Sequence, residues 1–360
     1  MGPPTPPLVW FNSGLSNTFD AVRLIREAAG GRLRLLASHV DPLAPVLGAA
    51  DLALAEPGGS LSDADYVAWC LETCRHYRVR LLVPGRRVRP LSAAHAAFAA
   101  LGTRVQAPEP PTLDLFEHKD ALYRDLAGTL IPLPEYRVVR DLPGFDRAYA
   151  DLRARYPSLC VKPTVGIYGA GFRILSETAD DYDTLLCVPP GPVSLPAYRF
   201  ALERTRRQYA LLLMPYLAGI ERSVDCLAVS GRLVAAVARA KRGRHQVLET
   251  RGPVIDFARL LNERYDLDGL FNCQFKDQDG TPYLLEINPR MSGGLLYACQ
   301  SGVNLPYWNL ALALDLAPLA AWGVSDLLAL IGARAERRQS GTLRSARAVS
   351  AAGLVLGSVI

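Results

Sequence analysis

Over roughly its first hundred residues the sequence alternates short apolar runs with amphipathic ones, and this alternation limits the fold more than any other feature. LVWFN (8–12) reads as a strand, and Asn17 to Ala29 as a helix capped by Asn or Ser. RLRLLASHV (32–40) is a second strand, 63–78 a helix, RLLVP (80–84) a strand, 91–101 a helix and TRVQA (103–107) a last strand. Strands that alternate with helices predict an open parallel sheet with helices packed on its faces, an α/β lobe. The PEPP run at 108–111 closes it and sets a first domain at 1–112.

Beyond the prolines the pattern becomes α+β. A helix is expected from Leu113 to Leu126, then IPLPEYRVV, a polar helix at 144–155, and two strands around a glycine-rich turn in SLCVKPTVGIYGAGFRIL. Helices near 178–187 and 196–208 precede the apolar strand YALLLMPYL. The strands SVDCLAV and LVAAVARAK flank Ser230-Gly231, a hairpin turn. A helix at 256–264 follows, and LFNCQF and PYLLEINP flank DQDGT. The second domain is set at 113–315, with residues 316–360 an Ala/Leu/Arg-rich tail without a motif.

Several function classes fit poorly. The net charge is +5 and its basic residues are dispersed, a poor footprint for nucleic acid but a suitable one for anionic small molecules. Seven scattered cysteines without a CxxC pair argue against a disulfide framework, and Cys70, Cys74 and His76 lack a second ligand pair at zinc-like spacing. MGPPTPP does not open like a secretory signal. The apolar stretch Leu305 to Val324 is interrupted by Pro306, Asn309, Asp315 and Pro318, so a helix-rich soluble segment is expected there, in a cytoplasmic protein without membrane contact.

Of 40 Lys plus Arg only four are lysines, Lys119, Lys162, Lys241 and Lys276, which marks places where a compact ammonium is needed instead of a planar fork. Lys162 stands in the apolar strand CVKP, where an unpaired ammonium would be costly, so an anionic partner is expected. It immediately precedes Gly166, Gly169 and Gly171. FRIL after these glycines is β-like, so neither a dinucleotide fingerprint nor a Walker loop is present; a hairpin whose amides fold over phosphates remains, as does an ordinary turn. In PYLLEINPR, alternation places Glu286 and Asn288 on one face, two hard oxygen donors suited to magnesium already chelated by phosphates. An edge strand with one solvated face is the alternative. Arg290, just past the strand, could bind a transferring phosphoryl group.

The ordered set of Lys119, Lys162 with GIYGAG, MPYLAGIERSVD, Gln274 and EINPR resembles the ATP-grasp superfamily over roughly residues 113–315. CVKPTVGIYGAGF, ERSVDCL, LLEINPRMSGG and SGVNLPYW are most similar to the branch found with bacterial tellurium-resistance (Ter) stress operons; carbamoyl-phosphate synthetase large subunits and biotin carboxylase are more distant. The resemblance implies a Rossmann-like pre-ATP-grasp domain followed by an ATP-grasp fold, with a glycine-rich lid subdomain at about 135–213. By the same resemblance Lys119 and Lys162 contact the nucleotide phosphates and Gly166 to Gly171 close over them. Met214, Pro215, Tyr216 and Leu217 form the hinge that binds the adenine edge, and Glu221 holds the ribose. Gln274, Glu286 and Asn288 hold magnesium, with manganese as a substitute, and Arg290 contacts the γ-phosphate. Met214-Pro215 stands where relatives commonly carry Glu, and Gln274 where many carry an acid. Lys241, Arg244 and His245, in ARAKRGRHQ with Arg239, add positive charge for a carboxylate substrate; a solvated basic loop is the other reading.

The expected activity is ATP-dependent activation of a small-molecule carboxylate as an acyl phosphate for an amine or thiol, in a chain that a homodimer would suit. A bicarbonate-using carboxylase or carbamoyl-phosphate type enzyme, and a nucleotide sensor of a stress complex, are the alternatives. One geometric expectation follows from the metal assignment. Gln274 faces Glu286 across the hairpin only if an odd-length loop is centred on Gly280; a two-residue Asp279-Gly280 turn pairs it with Leu285 unless a bulge compensates.

Overall fold

The computed structural model describes residues 5–14, 17–166, 169–186, 191–243 and 245–316. The first sheet contains β1 (Leu8–Asn12), β2 (Arg34–His39), β3 (Leu52–Ala55), β4 (Val79–Pro84) and β5 (Arg104–Val105), in the order β3-β2-β1-β4-β5 with every pairing parallel. All five residues of β1 are buried, as a central strand covered on both faces requires. Val9, Phe11 and Leu35 join one core cluster with the helix Thr18–Ala29, while Trp10, Leu36 and Leu82 join another under the helix Asp63–Tyr77. Burying each such side chain contributes roughly 1.5–3 kcal/mol. Ser62 caps the second helix by accepting from Asp65 N at 3.1 Å.

The second sheet comprises β6 (Arg137–Val139), β7 (Leu159–Pro163), β8 (Arg173–Ser176), β9 (Pro192–Ser194) and β10 (Leu211–Pro215), ordered β6-β10-β7-β8-β9. Its pairings are antiparallel except that of β8 with β9. Helices Leu142–Arg153 and Leu195–Arg204 flank its core of Phe145, Leu152, Val161 and Leu213. The third sheet is β13-β12-β11-β14-β15, from β11 (Glu221–Val229), β12 (Arg232–Arg242), β13 (His245–Glu249), β14 (Gly269–Gln278) and β15 (Thr281–Asn288). A parallel α/β sheet is thus followed by a mixed sheet, antiparallel but for β8 with β9, and by a third in which β12 and β13 pair antiparallel. By compactness the chain divides into one unit of Met1–Ala107, Ser223–Asn272 and Arg290–Ile360, and another of Pro108–Arg222 and Cys273–Pro289.

Several local expectations need correction. The helix expected over 91–101 is two, Val88–Ala93 and His95–Ala100, and the one from Leu113 to Leu126 breaks at His118 into Pro110–Glu117 and Lys119–Asp125. TRVQA contributes only a two-residue strand. The strands β3 and β13 and the helix Pro45–Ala49 carry too little periodic signal to be read in advance. The Ser230-Gly231 turn is present, with φ of 49° and 71°. Residues 317–360, and with them most of the tail, lie outside the described residues. No helix among the described residues is long and apolar enough to cross a membrane.

At the carboxyl ends of the first sheet, Glu56 is buried and accepts from Ser13 N (2.5 Å), Ser38 Oγ (2.7 Å) and Tyr66 Oη (3.1 Å). Gly85 closes on this network, its N–H donating to Asn12 Oδ1 at 2.8 Å. A Cβ at Gly85 would lie 2.6 Å from the Asn12 carbonyl oxygen, a backbone atom that cannot swing away. Gly85→Ala is expected to lower stability by about 1–3 kcal/mol in denaturant unfolding. Gly48→Ala, in the helix Pro45–Ala49 with open space around the added methyl, should be neutral or stabilising by up to about 1 kcal/mol.

Candidate active site

Two of the four lysines are drawn together by backbone geometry. His118 (φ −97°, ψ 91°) ends the first helix and lets Lys119 N donate to Thr164 O at 2.9 Å, so the next helix starts beside the end of β7. The Lys119 side chain is 8% exposed, and its Nζ donates to Gly166 O at 2.8 Å and lies 3.6 Å from Glu286 Oε2. Lys162 pairs with Leu212 of β10, and its Nζ donates to Leu285 O at 3.3 Å and approaches Tyr123 Oη at 3.5 Å. Burial pushes the Lys162 pKa down to about 8; Glu286 opposes the shift and the Lys119 ammonium adds to it. Tyr123, missed in the sequence, sits one helical turn after Lys119 and is fully buried. Desolvation first, then Glu286, pushes its hydroxyl pKa up.

Glu286 and Asn288 leave β15 on one face, and Asn288 Nδ2 donates to Glu286 Oε1 at 2.9 Å. The hairpin loop that precedes them is not odd-length. Asp279 (φ 51°) and Gly280 (φ 81°) form a two-residue turn, the strongly preferred hairpin geometry for Asp-Gly. Counting outward from that turn sets Phe275 against Leu284, both fully buried, and Cys273 against Glu286, whereas the next buried residue on β15 is Ile287. The buried positions Leu284 and Ile287 are three apart, the spacing that one extra residue on β15 would produce, and such a residue would return Gln274 to the Glu286 side. One carboxylate and two amides, beside two ammonium groups, fit a magnesium ion held largely by phosphate oxygens better than an all-protein cage. Glu286 and Asn288, with Gln274, are the residues that would hold it.

The glycine segment connects β7 and β8, which pair antiparallel through Val161 and Arg173. Gly166, Gly169 and Gly171 all have positive φ, and a Cβ at Gly171 would strike Pro163 Cγ at 2.7 Å. Ile167 and Tyr168 lie outside the described residues. Met214 and Pro215 end β10, with Met214 opposite Cys160, and Tyr216 N donates to Ser158 O at 2.9 Å. Leu217 is buried, and Glu221 opens β11 half-buried. The Lys276 ammonium lies 5.2 Å from the centre of the Tyr216 ring.

The other candidates belong to the first unit. Lys241 and His245 are exposed on the β12–β13 hairpin, where Lys241 pairs with Gln246 and Arg242 with His245; Arg244 lies outside the described residues. The basic segment is therefore a β-hairpin, not an irregular loop. Arg290 Nη1 donates to Met291 O at 3.1 Å. Arg239 belongs with none of the exposed cations. It is buried, with Nε on Asp225 Oδ2 (2.7 Å), Nη2 on Ser223 Oγ (2.8 Å) and Ser292 Oγ (3.0 Å), and Nη1 on Gln246 Oε1 (3.0 Å). Asn272 adds a donor to Asp225 Oδ1 at 3.0 Å. The segment ARAKRGRHQ read alone shows Arg239 but not the buried Asp225 with which it pairs.

Residues 207–326 match the family described as ATP-grasp in the biosynthetic pathway with Ter operon. No curated protein matches the chain in sequence. Among solved structures it is similar to the biotin carboxylase domain of Hydrogenobacter thermophilus 2-oxoglutarate carboxylase, solved with MgADP, ADP and bicarbonate (TM-score 0.60, 15% identity, covering 86% of this chain and 70% of that one). It is also similar to N5-carboxyaminoimidazole synthetase from Staphylococcus aureus complexed with ADP (0.60, 11%, 85% and 76%) and to L-amino acid ligase from Bacillus licheniformis (0.56, 14%, 86% and 74%). At these identities the likeness is one of fold.

Lys162 provides a test of the site's electrostatics without any ligand. Its pKa is lower folded, about 8, than the ordinary 10.5, so the unfolded chain binds the extra proton between those values. Stability should therefore rise with pH from about 8 to 10.5, and Lys162→Met should abolish that part of the rise in pH-dependent denaturation.

Proposed function

We propose that this chain is an ATP-grasp enzyme, an ADP-forming ligase that activates a small-molecule carboxylate as an acyl phosphate for attack by an amine or a thiol. One observation carries the reading: Lys119, Lys162 and Glu286, remote in sequence, converge with Gly166 at the end of the glycine hairpin. Two ammonium groups and one carboxylate leave local positive charge, suited to a polyphosphate that also brings a divalent cation.

In this reading Lys119 and Lys162 bind the phosphate oxygens and the Gly166, Gly169 and Gly171 amides cover them. The Met214–Leu217 backbone takes the adenine edge, and Glu221 the ribose. Magnesium, when bound, neutralises charge on the transferring phosphoryl group. Arg290 binds that group, and Lys241, Arg244 and His245 hold the substrate carboxylate. A carboxylate oxygen attacks the γ-phosphorus as the bond to the β–γ bridging oxygen breaks and ADP leaves. The amine or thiol then attacks the acyl carbon, and the C–O bond breaks to release inorganic phosphate with one former carboxylate oxygen. Catalysis comes from positioning and charge neutralisation, with no covalent enzyme intermediate.

ATP with magnesium is expected to raise the melting temperature, equivalent to about 2.7 kcal/mol at a hundredfold excess over the dissociation constant. Lys162→Ala or Glu286→Ala should remove most of the effect, and an unchanged melting curve in wild type would count against the reading. With a substrate pair found by screening for ADP release, heavy oxygen in the carboxylate should appear in inorganic phosphate. Release of AMP and pyrophosphate would exclude the acyl phosphate, and dependence on bicarbonate would point to a carboxylase.

A further inference from the structure

In a regular strand a residue's N–H and C=O point to one edge and its neighbours' groups to the other. β15 departs from this at one place. Leu284 turns both groups the same way: its N–H donates to Pro132 O at 2.9 Å, and its carbonyl accepts from Tyr123 Oη at 3.1 Å. The Leu285 carbonyl should then turn to the opposite edge. Instead it lies 3.1 Å from the same Tyr123 hydroxyl and 3.3 Å from Lys162 Nζ. Two successive carbonyls directed at one hydroxyl are what a β-bulge produces, and they fall at the start of the three-residue step between the buried Leu284 and Ile287, where regular alternation gives two or four. The Tyr123 ring is fully buried and packs edge-on against Tyr136 at 5.2 Å between centroids, so its hydroxyl is held in place.

We propose that Tyr123 is a positioning residue: its hydroxyl holds the β15 bulge and so keeps Gln274 and Glu286 on one face, where together they can serve a divalent cation. The proposal rests on the nucleotide-site reading above. Without the hydroxyl, the Leu284 carbonyl loses this donor and the Leu285 carbonyl keeps only Lys162. The strand can then relax to the register that its two-residue turn favours, which turns Gln274 to the opposite face. The lysine helix and the metal strand are thereby tied through one side chain, since Tyr123 lies one turn from Lys119.

The test uses the full chain carrying Tyr123→Phe, which keeps the ring and removes only the hydroxyl. Binding of a nonhydrolysable ATP analogue is measured by calorimetry in chelator, and Mn2+ binding to the nucleotide complex by electron paramagnetic resonance. Mn2+ affinity should fall about tenfold, and by more than the nucleotide affinity measured without metal, which loses only the Lys162 contact to the hydroxyl. Gln274→Ala should weaken Mn2+ binding in wild type and add nothing in the Tyr123→Phe background. Additive losses, or equal losses with and without metal, would overturn the role of Tyr123. Failure of the wild-type chain to bind nucleotide would instead strike the ligase reading itself. If Tyr123→Phe does not fold, Gln274→Glu decides the point from the other strand: tighter Mn2+ binding supports the bulge, and unchanged binding overturns it.

Discussion

The site depends on the cost of keeping two ammonium groups out of water around one carboxylate. An unpaired buried ammonium is severely disfavoured, so the chain supplies Lys119 with Gly166 O and the Glu286 carboxylate, and Lys162 with Leu285 O and Tyr123. For Lys162 the compensation is incomplete, because burial still pulls its pKa down to about 8. The remaining deficit favours an anion, and three segments bring these groups to one place. His118 breaks a helix to start Lys119 at the right point, and β7 pairs with β10 to fix Lys162.

A second buried charge is handled in the opposite way. Arg239 directs hydrogen bonds to Asp225, Ser223, Ser292 and Gln246, and Gly294 packs so close that a Cβ there would meet its Nη1 at 2.2 Å. Burial pushes the Asp225 pKa up, while Arg239 is the main influence drawing it back. Arg239 is thus held by side chains of its own unit, Ser292 of the segment after Arg290 among them. The contrast separates Lys162, whose burial is only partly compensated, from Arg239, paired with a buried carboxylate.

How much of this could be read from sequence varied with the range of the interaction. LVWFN, RLLASH and RLLVP announce buried parallel strands by composition alone, and the Lys162-to-Gly171 segment announces a strand, a turn and a strand. LALA (52–55) is too short and too evenly apolar to distinguish from a loop, and the break at His118 depends on a tertiary bond from Lys119 N to Thr164 O. The register of β14 against β15 shows the limit most clearly. Alternation correctly grouped Glu286 with Asn288 and required either an odd loop or a bulge; the turn is the two-residue Asp279-Gly280, and the buried Leu284 and Ile287 stand three apart on β15. Tyr123 could have been found from its spacing to Lys119, but nothing in its neighbours signals a carbonyl partner more than 160 positions away.

Because the chain has only four lysines, its central claim can be read one ammonium at a time. Brief acylation with acetic anhydride at pH 8, with and without ATP and magnesium, would be followed by mass spectrometry of the peptides carrying Lys119, Lys162, Lys241 and Lys276. The account predicts that the nucleotide protects Lys119 and Lys162, and that neither metal nor adenosine alone protects them. Unchanged labelling of both lysines at saturating ATP and magnesium would contradict it.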